Sequence, residues 1–466
     1  MLAEGLRVGL EHRTDMTDIA IIVLAAGKGT RMKSAVPKVL HRAAGRSLLG
    51  HVLHAARQLS PVESAVVVGP GMEAVAAEAR GMLPDARAAV QEERLGTGHA
   101  VLMAKPALAG FTGTILILYG DVPLITAESL AQLARLADRS GIAVLGFEAQ
   151  DPHGYGRLLR DAAGRVVAIR EELDASPEEK AVTLCNSGII AASSDLLWPL
   201  LDQVGNANAK GEYYLTDVVG LAAAAGAPAA LAICPEAELA GVNDRLQLSG
   251  IESSLQEIYR RRHMLAGATL TAPGTVFFSA DTVIGQDVVI GPHVVFGPGV
   301  RVEDGAEIHA FSHLEGAHVG AGARIGPYAR LRPGAEIGSG AHIGNFVEVK
   351  KATIGAGTKA NHLSYIGDAR VGPGTNIGAG TITCNYDGYD KHLTDIGANV
   401  FVGSNTALVA PVKVGDGASI AAGTVVTRNV PADALAIARP GLELQQGWAA
   451  RFRDMKAARK AARKKQ

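Results

Sequence analysis

The 466-residue chain is short of three things, and each shortage closes off a class of protein. Cysteine is scarce: Cys185, Cys234 and Cys384 stand apart, with neither the spacing of a metal-ligand set nor the density of a disulfide framework. Free thiols in a reducing compartment, the cytoplasm, are expected. Charge of one sign is not in excess, with 45 Lys and Arg against 46 Asp and Glu. A chain-wide adaptation to nucleic acid is therefore excluded, and partners must be sought locally. Long apolar runs are missing too, so no membrane insertion is expected. Residues 1–17 carry charge throughout, lack the apolar core of a signal peptide, and are expected to form a flexible N-terminal extension.

What the chain has is length, enough for two or three domains, and a repeat. From Ile284 to Val426 an aliphatic or aromatic residue returns at every sixth position: Ile284, Ile290, Phe296, and so on through Leu331, Ile343 and Val349 to Ile420 and Val426. The spacing drops to five, or jumps a loop, only after a multiple of three slots. Three hexads then make one turn of a triangular coil, the signature of a parallel β-helix. Only Ala360 and Thr383 interrupt the run of Ile, Leu, Val and Phe.

The first half reads differently. Asp18 to Ala26 is a near-continuous apolar strand, followed by further strands at 65–69, 114–119 and 143–147 with helical stretches such as 48–59 and 127–137 between them. Alternating strands and helices of this kind build a mostly parallel, Rossmann-like α/β sheet. We expect an α/β domain over 18–243, a linker helix over 244–265, the β-helix over 266–448 and a solvated basic tail over 449–466. The Arg260, Arg261 and Arg262 triplet suits a solvated helix end, where cations complement the dipole.

Parallel sheets bind ligands at the carboxyl ends of their strands. Gly27-Lys28-Gly29 stands there, but is neither a Walker loop nor a dinucleotide fingerprint. The longer string Leu24-Ala-Ala-Gly-Lys-Gly-Thr-Arg-Met32 with Pro37-Lys38 carries more. It is joined by Gln91, Leu95-Gly-Thr-Gly98, Tyr119-Gly-Asp121, Gly154-Tyr-Gly156-Arg157, Asn186-Ser-Gly188, Gly211-Glu-Tyr-Tyr214 and Gly241-Val-Asn243. Together these resemble the sugar-1-phosphate nucleotidyltransferases. The chemistry needs positioning and charge neutralisation rather than a protein nucleophile. The resemblance implies that Asp121 and Asn243 hold Mg²⁺, while Arg31 and Lys38 are catalytic and stabilise phosphates. It further implies that UTP and the UDP-sugar rest on Leu24, Ala25, Ala26, Gly27, Lys38, Gln91, Gly96, Thr97, Tyr119, Gly120 and Asp121, with Gly156, Glu171, Asn186 and Asn243 beyond. Two positions depart from the pattern: Ser187 replaces a threonine, and Leu173 stands where a lysine is common.

In the β-helix, Arg332 and Lys350 each follow a slot residue by one place and lie three hexads apart. They should therefore stack on one face about 4.8 Å apart. Stacked like charges are destabilising unless an anion joins them, so the pair reads as a phosphate clamp. One coil later Gly367 should leave space beside Tyr365 for a ligand. The broken slots are followed by Asn361-His362 and by Cys384-Asn385-Tyr386-Asp387, and Cys384 reads as a buried thiol.

Arg330-Leu-Arg-Pro-Gly334, Asn345-Phe-Val-Glu-Val-Lys-Lys351, His362-Leu-Ser-Tyr365-Ile-Gly367 and Asn376-Ile-Gly-Ala-Gly380 resemble the glucosamine-1-phosphate acetyltransferase site of left-handed β-helices. The whole chain is thus similar to bifunctional UDP-N-acetylglucosamine pyrophosphorylase/glucosamine-1-phosphate N-acetyltransferases, which make a cell-wall precursor. That resemblance implies His362 as general base and Arg332, Lys350, Tyr365, Asn376 and Lys391 around glucosamine 1-phosphate. It places acetyl-CoA against Ala379, Asn385, Tyr386, Ser404, Ala422 and Arg439, and implies a homotrimer. The expected partners are small molecules: glucosamine 1-phosphate, acetyl-CoA, N-acetylglucosamine 1-phosphate and UTP.

Overall fold

The computed structural model describes residues 17–438 and 441–463. The expected extension up to residue 16, and Arg439, lie outside them. Thr17, expected to belong to the flexible extension, is tied down, its hydroxyl 2.5 Å from Asp138 Oδ1. Two compact units divide between Tyr259 and Arg260, inside the helix Arg245–Leu265.

The main sheet of the first unit has the strand order Ala230–Ile233, Ile142–Glu148, Leu184–Ser193, Thr114–Tyr119, Ile19–Leu24, Glu63–Val68, Arg87–Val90, with Arg157–Arg160 and Val166–Arg170 off this path. All neighbours along it are parallel except Leu184–Ser193, which runs against both of its own. Ile19–Leu24 and Thr114–Tyr119 are buried on both faces, as continuous apolar runs in a covered parallel sheet must be. From Ile19–Leu24 the chain winds outward one way to Arg87–Val90, then crosses back to lay Thr114–Tyr119 on the other side. The crevice at the carboxyl ends of these two strands is the topological switch point.

The second unit is a stack of short parallel strands in which the hexad slots line up coil over coil. Ile290, Ile308, Ile325, Ile343, Ala360, Ile377, Val402 and Ile420 form one column in successive register. Val302, Val319, Ile337, Ile354, Val371, Ile396 and Val414 form a second. The third includes Leu314, Leu331, Val349 and Ile366, then Thr383 and Leu408. The slots after Ile284 are buried.

The exceptional slot Thr383 keeps its polarity satisfied. Its hydroxyl accepts from the Gly367 amide at 2.8 Å and donates to the Gly367 carbonyl at 3.0 Å.

Two local expectations are corrected. Arg260 is buried, not solvated, because its Nε donates to the Val276 carbonyl at 2.8 Å and its guanidinium lies over Phe277. Cys384 is half-buried, since it follows the slot and faces outward. The basic tail is exposed through Lys460, as expected, and forms a helix over Trp448–Arg463.

Candidate active sites

At the switch point a cavity of about 320 Å³ is lined by Leu24, Ala25, Ala26, Gly27, Lys38, Gln91, Gly96, Thr97, Tyr119 and Asp121. Backbone bonds draw its walls together: the Ala25 amide donates to the Val67 carbonyl and the Gly120 amide to the Leu24 carbonyl. Gly29 has a φ of 60°, and a Cβ there would fall 2.5 Å from that of Lys38. A bare Cα is what lets Lys38 close in.

The Lys38 ammonium is ion-paired with the Asp121 carboxylate and also lies 3.4 Å from Asn243 Oδ1. The Val242 amide donates to the Asp121 carbonyl, which anchors Asn243 beside the pair. The carboxylate and the amide oxygen therefore converge on one positive charge. Such a donor set fits a hard divalent cation that takes its remaining ligands from phosphate and water. Among the described residues no group of three or more His, Cys, Asp or Glu could hold a metal ion.

Tyr119 joins this cavity to a second cluster. Burial, then the charges of Glu171 and Asp121, push its phenol far above its ordinary range, so it stays neutral. Its ring covers Gly188, whose φ of 84° and lack of a Cβ permit the contact. Beyond it the Asn186 amide donates to the Gly156 carbonyl at 2.8 Å, and Thr216 donates to Glu171 Oε1 at 3.2 Å. Burial is the main cause that raises the Glu171 carboxyl. The Ser187 hydroxyl donates to the Leu145 carbonyl at 2.7 Å. Leu173 is exposed, and the positive charge near Glu171 comes from Lys210 instead.

Arg31, expected at the phosphates, sits exposed on a single helical turn and is not part of the cavity wall. Arg94, which was not anticipated, is part of it, and its Nε holds the Ala26 carbonyl at 2.7 Å. Its place between Gln91 and Leu95-Gly-Thr-Gly98 was the available signal.

In the second unit Lys350 pairs in register with Gly367, and the Arg332 amide donates to the Val349 carbonyl, so the expected column exists. Its electrostatics differ from the expectation. Glu348 Oε1 accepts from Arg332 at 2.8 Å, which neutralises the like-charge stack from within. A second like-charge pair is Lys350 with Lys391, whose amine is held below the ordinary lysine range by the Lys350 ammonium beside it, against the opposing pull of Asp368 and Tyr365. The space over Gly367 is filled by the phenol of Tyr365 itself. That corrects the expectation of room for a ligand there.

A separate corner column carries the imidazole. Asn345 pairs in register with His362, and Asn345 Oδ1 stands 2.6 Å from His362 Nδ1. An amide oxygen only accepts, so Nδ1 carries the proton and Nε2 keeps its lone pair. Asn345 was missed in the sequence as a functional residue, although the hexad register aligns it with His362.

The same column continues upward. Ala360 pairs with Ile377, Ile377 with Val402 and Val402 with Ile420, so Ala379, Ser404 and Ala422 fall two places on in the successive coils, as His362 does after Ala360. Asn376 pairs with Lys359 one strand position earlier. Asn385 Nδ2 donates to Asp368, and Tyr386 bridges to Lys391 across the intervening loop.

A nucleotide-sized cavity at a switch point, and an imidazole fixed on a hexad coil, define a nucleotidyltransferase joined to a hexapeptide-repeat transferase. Residues 21–193 match the MobA-like NTP transferase domain. Residues 281–316, 316–351 and 394–428 match the bacterial transferase hexapeptide (six repeats). The stretch between the last two matches holds both irregular slots and His362. The bifunctional protein GlmU of Azorhizobium caulinodans is 56% identical over 436 residues, 93% of this chain and 97% of that relative. That of Paramagnetospirillum magneticum is 56% identical over 448 residues, 95% and 98% of the two chains. That of Ruegeria sp. is 53% identical over 446 residues, 96% and 99%. The chain belongs to the GlmU family, and it is a bifunctional uridylyltransferase and acetyltransferase. Among the described residues no helix is long and apolar enough to cross a membrane.

Proposed function

We propose that the two activities reside in separate sites, one in each compact unit, and that they act in succession on one sugar phosphate. The supporting observation is that the converging oxygens of Asp121 and Asn243 and the tautomer-fixed His362 lie in different units.

In the second unit Lys350 and Lys391 receive the phosphate of glucosamine 1-phosphate, which relieves their mutual repulsion. Arg332, Tyr365 and Asn376 complete that subsite. His362 Nε2 takes a proton from the sugar amine, which attacks the thioester carbonyl of acetyl-CoA and expels the CoA thiolate. General-base help of this kind contributes roughly 10² to 10⁴ fold. Ala379, Ser404 and Ala422 present small side chains to an extended cofactor, with Asn385 and Tyr386 completing that subsite. Arg439 belongs to the same expectation.

In the first unit Asp121 and Asn243 would hold a divalent cation, Mg²⁺, whose chemistry is to offset charge on the triphosphate. Lys38 is displaced from Asp121 toward phosphate oxygens. Gln91, Gly96 and Thr97 orient the base, while Gly156, Glu171 and Asn186 hold N-acetylglucosamine 1-phosphate for in-line attack on the α-phosphorus. The domain limits 18–243, 244–265 and 266–448 follow this division of labour.

We also propose a homotrimer in the cytoplasm. Phe311, Tyr328 and Phe346 are exposed and stack ring on ring at 4.9 and 5.2 Å along one corner, a ladder suited to cover by another copy. The scarce, unpaired cysteines suit a reducing compartment. Sedimentation equilibrium should return about three times the 48.1 kDa chain mass; a monomer mass would refute the trimer.

A further inference from the structure

The loop Asn385–His392 carries Lys391 at its base, and a pair of side chains with no role in the reading above closes it. His392 Nε2 lies 2.7 Å from Asp387 Oδ2. The other oxygen of Asp387 accepts from the Tyr389 and Asp390 amides at 2.8 and 2.7 Å. The His392 amide donates to the Asn385 carbonyl at 2.9 Å, and Tyr386 bridges to Lys391. The imidazole of His392, next in the chain to Lys391, thus ties that end of the loop to the turn held by Asp387.

We propose that His392 and Asp387 are a positioning pair that holds the Lys391 ammonium against that of Lys350 in the absence of substrate. Two ammonium groups side by side repel, and Lys350 lowers the proton affinity of the Lys391 amine even though Asp368 and Tyr365 pull the other way. A lysine on a free loop would swing into water, because its long side chain has many rotamers and its charge is better hydrated alone. Here the loop is latched, so Lys391 stays where a phosphate must be bound between two cations. The repulsion is released when a phosphomonoester arrives, and ordering has already been done before binding. Asp368 secures Asn385 and also attracts Lys391, so the latch works alongside it in setting where the Lys391 limb of the loop lies.

The inference rests on the proposal that Lys391 contacts the sugar phosphate, and the two can fail separately. The test is steady-state acetyl transfer by the full chain, with glucosamine 1-phosphate and acetyl-CoA varied in turn, for His392→Leu, His392→Gln and Lys391→Met. Pyrophosphate release in the uridylyl reaction reports folding in each. For His392→Leu we expect KM for glucosamine 1-phosphate to rise about tenfold, with kcat and KM for acetyl-CoA within about twofold of wild type. Gln retains an N–H donor where the ring Nε2 stands and should restore most of the loss. A His392→Leu enzyme with unchanged KM for the sugar, while Lys391→Met raises it, overturns the latch. So does an equal rise in KM for both substrates, or a failure of Gln to rescue. An unchanged KM in Lys391→Met would instead remove the phosphate subsite on which the latch depends.

Discussion

Asn345 and His362 face each other across one rung of the β-helix, the amide oxygen 2.6 Å from the imidazole Nδ1. This contact selects the tautomer in which Nε2 is the base. Asn345→Ala should lower kcat for acetyl transfer by about tenfold or more, a fraction of what the base itself contributes. KM for acetyl-CoA should change little. Initial rates of CoA release check this.

The lowered proton affinity of Lys391 sets the sign of a pH effect. Phosphate between the two lysines favours their charged forms, so the complex binds more protons than the free enzyme. Affinity for glucosamine 1-phosphate is therefore full while Lys391 is protonated and falls as pH rises through its lowered value. A plot of KM for the sugar phosphate against pH should turn upward below the ordinary lysine value of about 10.4. Lys391→Arg should move that upturn to higher pH.

Metal removal should separate the two activities. Asp121 and Asn243 offer oxygen to a cation, whereas the acetyl-transfer residues include no such pair. A chelator should abolish pyrophosphate release and leave CoA release intact, with activity restored by excess Mg²⁺.

Thr383 offers a stability test within the coil. Replacement by Val keeps the volume but leaves the buried Gly367 amide without the hydroxyl it bonds at 2.8 Å. A loss of about 1–3 kcal/mol is expected from denaturant unfolding of the β-helix.

The repeat was legible because every slot repeats one environment, so the three apolar columns could be written from spacing alone. Arg332 and Lys350 followed from the same register. What escaped were contacts with no period. Arg260 is buried by Val276 and Phe277, which the sequence does not align with it. The phenol of Tyr365 folds back over Gly367, a rotamer choice invisible in spacing. In the α/β unit the motifs placed Lys38 and Asp121 in one cavity. They did not reveal that Arg94 lines it, because loop conformation decides which cation turns inward.

The central claim is that two independent sites share one chain, and parallel assays of CoA release and pyrophosphate release test it most directly. His362→Ala should abolish acetyl transfer and leave uridylyl transfer at the wild-type rate, and Asp121→Ala should do the reverse. Loss of both activities in either single variant, with the protein still folded, would contradict it.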